Sequence, residues 1–116
     1  MISPGAATRI FLAAGPTDMR RGFDGLADLV RHQLAADPLS GHWFVFCNKR
    51  HNRVKVLYFD GSGLWLCSKR LERGAFSWPD VNSPASVSLS REELTLLLGG
   101  IELDRVRAKD WWRKAI

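Results

Sequence analysis

The side chains best suited to chemistry in this chain are cations, and they are concentrated in one stretch. Between residues 49 and 73 the cations outnumber the acids by seven to two, so this segment carries +5, the formal net charge of all 116 residues. The seven are Lys49, Arg50, Arg53, Lys55, Lys69, Arg70 and Arg73. Localised positive charge attracts polyanions, nucleic acid above all, and acidic protein or membrane surfaces after it. Since no basic amphipathic helix is visible, we rank the membrane last.

Two further cations, Arg20 and Arg21, stand in the run of residues 15–26, which is typical of a helix start. Thr17 or Asp18 is suited to cap the free N–H groups there. Because the amides of a first turn carry partial positive charge, adjacent cations are unfavourable unless an anion such as phosphate binds beside them. The run therefore predicts an anion-binding helix start, but it leaves open that both arginines simply point into water.

Tryptophans are the second group with binding potential. Trp43 and Trp65 lie in apolar runs, which favours a place in the core over base stacking. Trp111 and Trp112 interrupt a basic C-terminal segment, where adjacent rings could stack on bases or dock into a groove of a partner. They could equally fold back onto their own sheet, and the sequence does not decide between these alternatives.

Groups suited to catalysis or metal binding are sparse. The three histidines show no metal-ligand spacing with Cys47, Cys67 or the acids, and the chain has no glycine-rich phosphate loop of the Walker or dinucleotide type. Simpler roles as helix cap, turn former and ion-pair partner account for Asp18, Asp60 and Glu72. The two cysteines form neither a disulfide framework nor a metal pattern, which indicates reduced thiols in a cytoplasmic protein. We expect no enzymatic activity, no cofactor and no metal.

The elements that would position these residues predict a single α+β domain. Apolar residues spaced by three and four from Met19 to Leu34 predict a main helix with one buried face. Ser90 and Glu93 match a capping box that opens a short C-terminal helix. The β-prone runs predict an antiparallel meander sheet of about four or five strands, with the main helix packed on one face. These runs are residues 9–13, 43–47, 53–59, 64–69 and 75–78, with 87–89 as a candidate edge strand.

The domain is assigned to residues 1–103, and residues 104–116 are assigned to a basic, tryptophan-containing tail. With 46% hydrophobic and 25% charged residues, the composition is that of an ordinary globular protein. No apolar run approaches the roughly 20 residues needed to span a bilayer.

The basic hairpin between the second and third of these runs is the candidate binding surface. Lys55, Lys69 and Arg70 fall on neighbouring strands, which predicts a shared basic face. Like charges that face each other destabilise a sheet, so an anionic partner would relieve a cost. The alternative is a solvated polar turn with no partner.

Beyond these local patterns, the chain resembles a known family. Residues 9–26, which read RIFLAAGPTDMRRGFDGL, resemble the opening of the TnpB accessory proteins of bacterial insertion sequence 66 elements. Those proteins are unrelated to the RNA-guided nuclease that shares the TnpB name. Further matches follow in the same order at residues 37–42, 45–46, 55–58, 60–64 and 69–76. Cys67 departs from the pattern, since the family often has an aromatic residue there, and the tail is not diagnostic.

The resemblance implies an element-encoded protein that assists transposition alongside a separate, larger transposase. It does not imply that this protein cuts or joins DNA. It carries over no catalytic residues. Together with the charge pattern it predicts DNA phosphate contacts at nine residues: Arg20, Arg21, Lys49, Arg50, Arg53, Lys55, Lys69, Arg70 and Arg73. The alternative is a protein–protein adapter that binds the transposase without touching DNA, through Trp111 and Trp112. In both cases we expect a cytoplasmic protein that makes no membrane contact.

Overall fold

A mixed, mostly antiparallel sheet forms the centre of the fold in a computed structural model that describes residues 4–80 and 82–100 and a short strand at 113–114. The elements in chain order are β1 (Ile10–Ala13), α1 (Phe23–His32), β2 (Trp43–Cys47), β3 (Arg53–Phe59), β4 (Leu64–Arg70), β5 (Ser86–Leu89), α2 (Arg91–Leu98) and β6 (Arg113–Lys114). The strand order across the sheet is β4-β3-β2-β1-β5-β6. The predicted α+β class is therefore confirmed.

The β2-β3-β4 meander is antiparallel, as predicted, whereas β1 and β2 run parallel. Parallel neighbours require a crossover connection rather than a tight turn, and α1 supplies it. The apolar stripe of α1 packs on one face of the sheet, called the α1 face below, where Leu26 and Val30 meet Phe44, Phe46 and Leu57. All five side chains are buried.

The opposite face, called the α2 face, is covered by α2 through the fully buried Leu97. The predicted strand at 75–78 is wrong, because this segment crosses the ends of the strands instead of joining the sheet. The backbone N–H of Phe76 donates to a loop carbonyl, and Trp78 Nε1 donates to the carbonyl of Ala13 at 3.0 Å. Both aromatic rings of this segment fill the core on the α2 face.

Helix α1 begins later than the sequence predicts. Its N-cap is Gly22, which makes no side-chain capping bond, and Arg20 and Arg21 lie in the turn that precedes it. Asp18 Oδ1 accepts a hydrogen bond from the backbone N–H of Arg20 at 2.9 Å instead of capping the helix. The predicted helix start with two arginines in its first turn is therefore wrong, because Asp18 stabilises a separate turn.

Helix α2 follows the prediction. Ser90 Oγ accepts from the backbone N–H of Glu93 at 3.1 Å, and Glu93 Oε1 accepts from the N–H of Ser90 at 2.9 Å. This reciprocal capping box is confirmed. The predicted domain boundary between residues 103 and 104 lies outside the described residues, although β6 within the assigned tail pairs with β5.

Candidate nucleic-acid interface

The ladder between β3 and β4 places two arginines directly opposite each other. Arg53 pairs with Arg70 in the strand register. The next pair along the chain is hydrogen-bonded, since the N–H of Leu71 donates to the carbonyl of Asn52 at 2.8 Å. Pairs alternate in an antiparallel ladder, so Arg53 and Arg70 form a non-hydrogen-bonded pair, in which Cα atoms are about 4.5 Å apart and side chains are closest. Strand register thus places two exposed arginines directly opposite each other on one face of the sheet.

The loop between β2 and β3 adds a third arginine on a hydrogen-bonded turn. Asn48 Oδ1 accepts from the backbone N–H groups of Asn52 and Arg53, each at 3.0 Å. Asn48 Nδ2 donates to Asn52 Oδ1 at 2.7 Å. His51 takes a left-handed backbone conformation with φ of 59°, which closes the turn. Arg50 is exposed at the tip of this turn.

A shallow cleft of about 390 Å³ joins these groups on the α1 face. We call it the arginine cleft; its lining residues are Met19, Asn48, Arg50, Asn52, Arg53 and Arg70. None of these described lining residues carries a carboxylate. The two asparagines were not predicted as site residues, although an Asn at each end of a polar turn is a recognisable signal of a side chain that hydrogen-bonds the turn backbone.

The arginines of the cleft differ in whether a carboxylate forms an ion pair with them. Arg70 Nε donates to Glu72 Oε2 at 2.9 Å, and both side chains are well exposed to solvent. An exposed pair of this kind contributes about 0–1 kcal/mol, so an incoming anion can replace the carboxylate at little cost. Arg50 and Arg53 form no ion pair within residues 4–80 and 82–100. Guanidinium groups bind phosphate with two parallel hydrogen bonds, which makes the cleft suited to phosphate.

Lys55 lies on the same face as the cleft, but its ammonium group is occupied. Lys55 Nζ donates to the carbonyl of Met19 at 2.7 Å and to the carbonyl of Arg21 at 2.9 Å. The side chain is only partly exposed. Lys55 therefore fastens the turn that precedes α1 to the sheet.

Lys69 lies on the other face of the sheet. It pairs in register with the buried Val54, whereas Lys55 pairs with Ser68. The predicted basic face shared by Lys55, Lys69 and Arg70 is wrong for Lys69, because neighbouring residues of a strand point to opposite faces. Lys69 Nζ donates to the carbonyl of Leu98 at 2.7 Å, where a cation stabilises the C-terminal end of α2.

The remaining predicted contacts surround the cleft or lie outside the described residues. Arg20 forms a two-pronged pair with Asp18, with Nη2 and Oδ2 2.7 Å apart, and the hydrogen bonds of Arg20 lower the pKa of the Asp18 carboxyl to about 2. Arg21 is exposed, and its Nη1 donates to the carbonyl of Gly25 at 3.4 Å. Exposed cations also stand on the loop tip and in the turn after β4, at Lys49 and Arg73. Trp111 and Trp112 lie outside the described residues.

Neither a metal centre nor a membrane span is found in the part of the chain that the structure describes. There, no three His, Cys, Asp or Glu side chains come together as a metal ion would require. In the same residues, neither helix has the length and apolar character to cross a bilayer.

Comparison with known proteins identifies related chains. A family model described as IS66 Orf2 like protein matches residues 8–108. The uncharacterized protein y4jC of Sinorhizobium fredii (strain NBRC 101917 / NGR234) is 45% identical over 109 residues, which cover 94% of this chain and 92% of that protein. The uncharacterized protein y4hO of the same strain is 40% identical over 113 residues, which cover 97% and 96% of the two chains. No solved structure matches this chain.

Proposed function

The chain belongs to the IS66 Orf2 like family, and we propose that it is a non-catalytic accessory protein of insertion-sequence transposition. We further propose that it binds DNA phosphates through the arginine cleft. The family supports an accessory role in transposition. The observation that carries the DNA-binding part is the Arg53–Arg70 pair. DNA of a bacterial element lies in the cytoplasm, where we place this activity.

The two positive charges of that pair repel each other. Like charges directly opposite each other destabilise an antiparallel pair of strands, by an amount similar to the roughly 0.2–1 kcal/mol that a favourable pair contributes. Arg50 adds a third positive charge to the same cleft. A phosphate bound between the guanidinium groups would turn this repulsion into charge-assisted hydrogen bonds. The cleft therefore gains more from binding an anion than an isolated surface arginine would.

The nine predicted contacts differ in the partners that their side chains already have. Arg50, Arg53 and Arg70 form the centre of the proposed contact, and Arg21, Lys49 and Arg73 are exposed cations that extend it. The ammonium groups of the two lysines on strands are held by backbone carbonyls. Arg20 donates three side-chain hydrogen bonds to the Asp18 carboxylate, whereas Arg70 donates only one to Glu72. We assign these three residues to positioning the surface rather than to binding phosphate.

The contact is directed at the DNA backbone. Phosphate contacts orient a protein on DNA but carry no sequence information. The cleft lies at the end of a sheet, and neither described helix places a row of polar side chains beside it for base recognition. We therefore propose binding with weak sequence preference, whose strength depends steeply on salt.

Fluorescence-anisotropy titrations of short DNA duplexes with the protein, repeated over a series of salt concentrations, test this proposal. One of the duplexes carries the terminal repeat of the element. Each neutralised phosphate contributes about 0.9 to the slope of log K against log salt concentration. The double change Arg53→Gln and Arg70→Gln should therefore reduce the slope by about 1.8 and weaken binding at low salt. The matched control is Arg31→Gln with Arg91→Gln, which removes the same charge away from the cleft.

Three outcomes separate the alternatives. A reduced slope in the cleft variant alone supports the proposal, and equal losses in both variants would show that only overall charge matters. If the unmodified protein binds neither duplex at low salt, direct DNA contact is excluded. Co-purification with the transposase, with and without Trp111→Ala and Trp112→Ala, would then test the adapter function.

A further inference from the structure

The outer edge of β4 offers an open set of backbone hydrogen-bonding groups. Strand β4 is the terminal strand of the sheet next to β3. The hairpin closes with the N–H of Asp60 donating to the carbonyl of Gly63 at 3.0 Å, which fixes the alternation of the ladder. Backbone hydrogen bonds to β3 are thus made by Trp65, Cys67 and Lys69. The backbone N–H and C=O groups of the alternate residues point outward, away from β3. These alternate residues are Leu64, Leu66, Ser68 and Arg70.

The usual protections of a free edge are weak on this strand. Natural edges are blunted by proline, bulges, short length or charges that project over the edge. Strand β4 has seven residues in continuous register with β3 and contains neither proline nor a bulge. The side chains of its two cations are hydrogen-bonded within their own chain and do not project over the edge: Lys69 donates to the carbonyl of Leu98, and Arg70 donates to Glu72. Within the part of the chain that the structure describes, the edge is therefore accessible to another strand.

We propose that β4 pairs with β4 of a second copy of this chain, antiparallel and about a two-fold axis at Cys67. This register pairs all seven residues of the strand. Leu66 then exchanges backbone hydrogen bonds with the partner's Ser68, and Leu64 does so with the partner's Arg70. Both belong to the outward-pointing set, as hydrogen-bonded pairs require. Such a two-fold contact closes on itself and yields a dimer.

Side chains across this pairing bring no two charges of the same sign together. Lys69 lies opposite the partner's Trp65, and Arg70 lies opposite the partner's Leu64, so no like charges face each other. The indole Nε1 of Trp65 donates to Asp60 Oδ2 at 2.8 Å, which places a carboxylate beside the ring. The ammonium group of Lys69 stays on the carbonyl of Leu98, so it is the apolar stem of Lys69 that packs beside the partner's indole ring.

Apolar surface next to the edge also favours a protein strand as the occupant. Trp65 is 46% exposed and is stacked on Tyr58, with ring centroids 6.4 Å apart. A groove of about 370 Å³ lies beside it on the α2 face, lined by residues that include Val56, Cys67 and Leu98. The partner's Trp65 would cover this groove from the opposite strand. The carboxylate of Asp60 beside the ring would repel a nucleic-acid phosphate.

The dimer would also fix the face and the spacing of the two arginine clefts. The importance of that spacing for DNA binding rests on the proposed function. A two-fold axis perpendicular to the sheet keeps both α1 faces on the same side. Arg70 of one copy lies opposite the partner's Leu64, so the two Arg70 residues are six positions apart along the strands. At about 3.4 Å per residue, this separates the clefts by about 20 Å along the strand direction.

Sedimentation velocity of the intact protein without DNA, over a concentration series, tests the dimer independently of DNA binding. We expect a species of twice 13.1 kDa that dissociates on dilution. Ser68→Pro should convert it to a single chain of 13.1 kDa, since proline removes an outward N–H but no bond to β3. Ser68→Ala keeps that N–H and should remain dimeric. A protein that is monomeric at every concentration, or a dimer that Ser68→Pro leaves intact, would overturn the proposal.

Oxidative cross-linking provides a second test that does not depend on the proline variant folding. In the proposed register Cys67 forms a non-hydrogen-bonded pair with the partner's Cys67, at a Cα separation of about 4.5 Å that a disulfide can span. The oxidant is diamide, which takes up the two protons and two electrons that the two thiols release as they form the S–S bond. We expect a disulfide-linked dimer that Cys67→Ser abolishes and Cys47→Ala leaves in place. Absence of a dimer linked through Cys67 would contradict the proposed register.

Discussion

Replacing Lys55 by Met tests whether this cation holds the fold or binds DNA. The methionine keeps most of the apolar stem but removes two hydrogen bonds, at 2.7 and 2.9 Å, to carbonyls in the turn before α1. Hydrogen bonds to charged groups contribute about 1.5–3 kcal/mol each. Because water can reach the freed carbonyls in part, we expect a loss of about 1.5–3 kcal/mol in the free energy of unfolding. For a chain of this size that lowers Tm by about 6–12 °C.

Thermal unfolding followed by circular dichroism measures this loss, with Lys49→Met as the matched control. Lys49 is an exposed lysine on the loop tip, so its replacement should leave Tm within about 1 °C, as is usual for surface substitutions. In DNA titrations well below Tm the order should reverse. Lys49→Met should reduce the salt slope, and Lys55→Met should leave it unchanged. Equal Tm values for the two variants, or a slope reduced by Lys55→Met, would refute the structural role of Lys55.

Three further predictions concern stability and reactivity. Ser90→Ala removes half of the capping box of α2 and should cost about 1 kcal/mol in chemical denaturation, whereas Ser90→Thr, which keeps a capping hydroxyl, should cost less. The pKa of Asp60 is lowered from 3.8 to about 2, most strongly by the hydrogen bond from the backbone N–H of Ser62 and next by the one from the indole N–H of Trp65. The stability from this carboxylate is therefore present above about pH 4 and lost toward pH 2, so the difference in Tm between the unmodified protein and Asp60→Asn should shrink over that range. Burial raises the pKa of the Cys47 thiol to about 12, so a thiol reagent at pH 8 should modify Cys67 alone in the native protein and both cysteines in denaturant.

Features that depend on near neighbours in the chain were predictable from the sequence. The capping box joins residues three apart, and the turn at Asp60 is closed by its own carboxylate and the next few N–H groups. The β2-β3-β4 meander follows from β-prone runs separated by polar turns. The start of α1 was missed because Asp18 had two local choices, and it stabilises a turn at Arg20 instead of the helix. The segment at 75–78 was mistaken for a strand because core aromatics favour strands, whatever the path of their backbone.

The sequence by itself determined the composition of the chain, the concentration of positive charge in residues 49–73 and the family resemblance. Only the tertiary structure decided which cations remain available to a ligand. Lys55 finds its acceptor 36 residues away and Lys69 finds its acceptor 29 residues away, whereas Arg53 and Arg70 are brought together by strand register. The physical reason is that a cation takes whichever acceptors the packed chain places within about 3 Å, and that distance is set by packing rather than by sequence spacing.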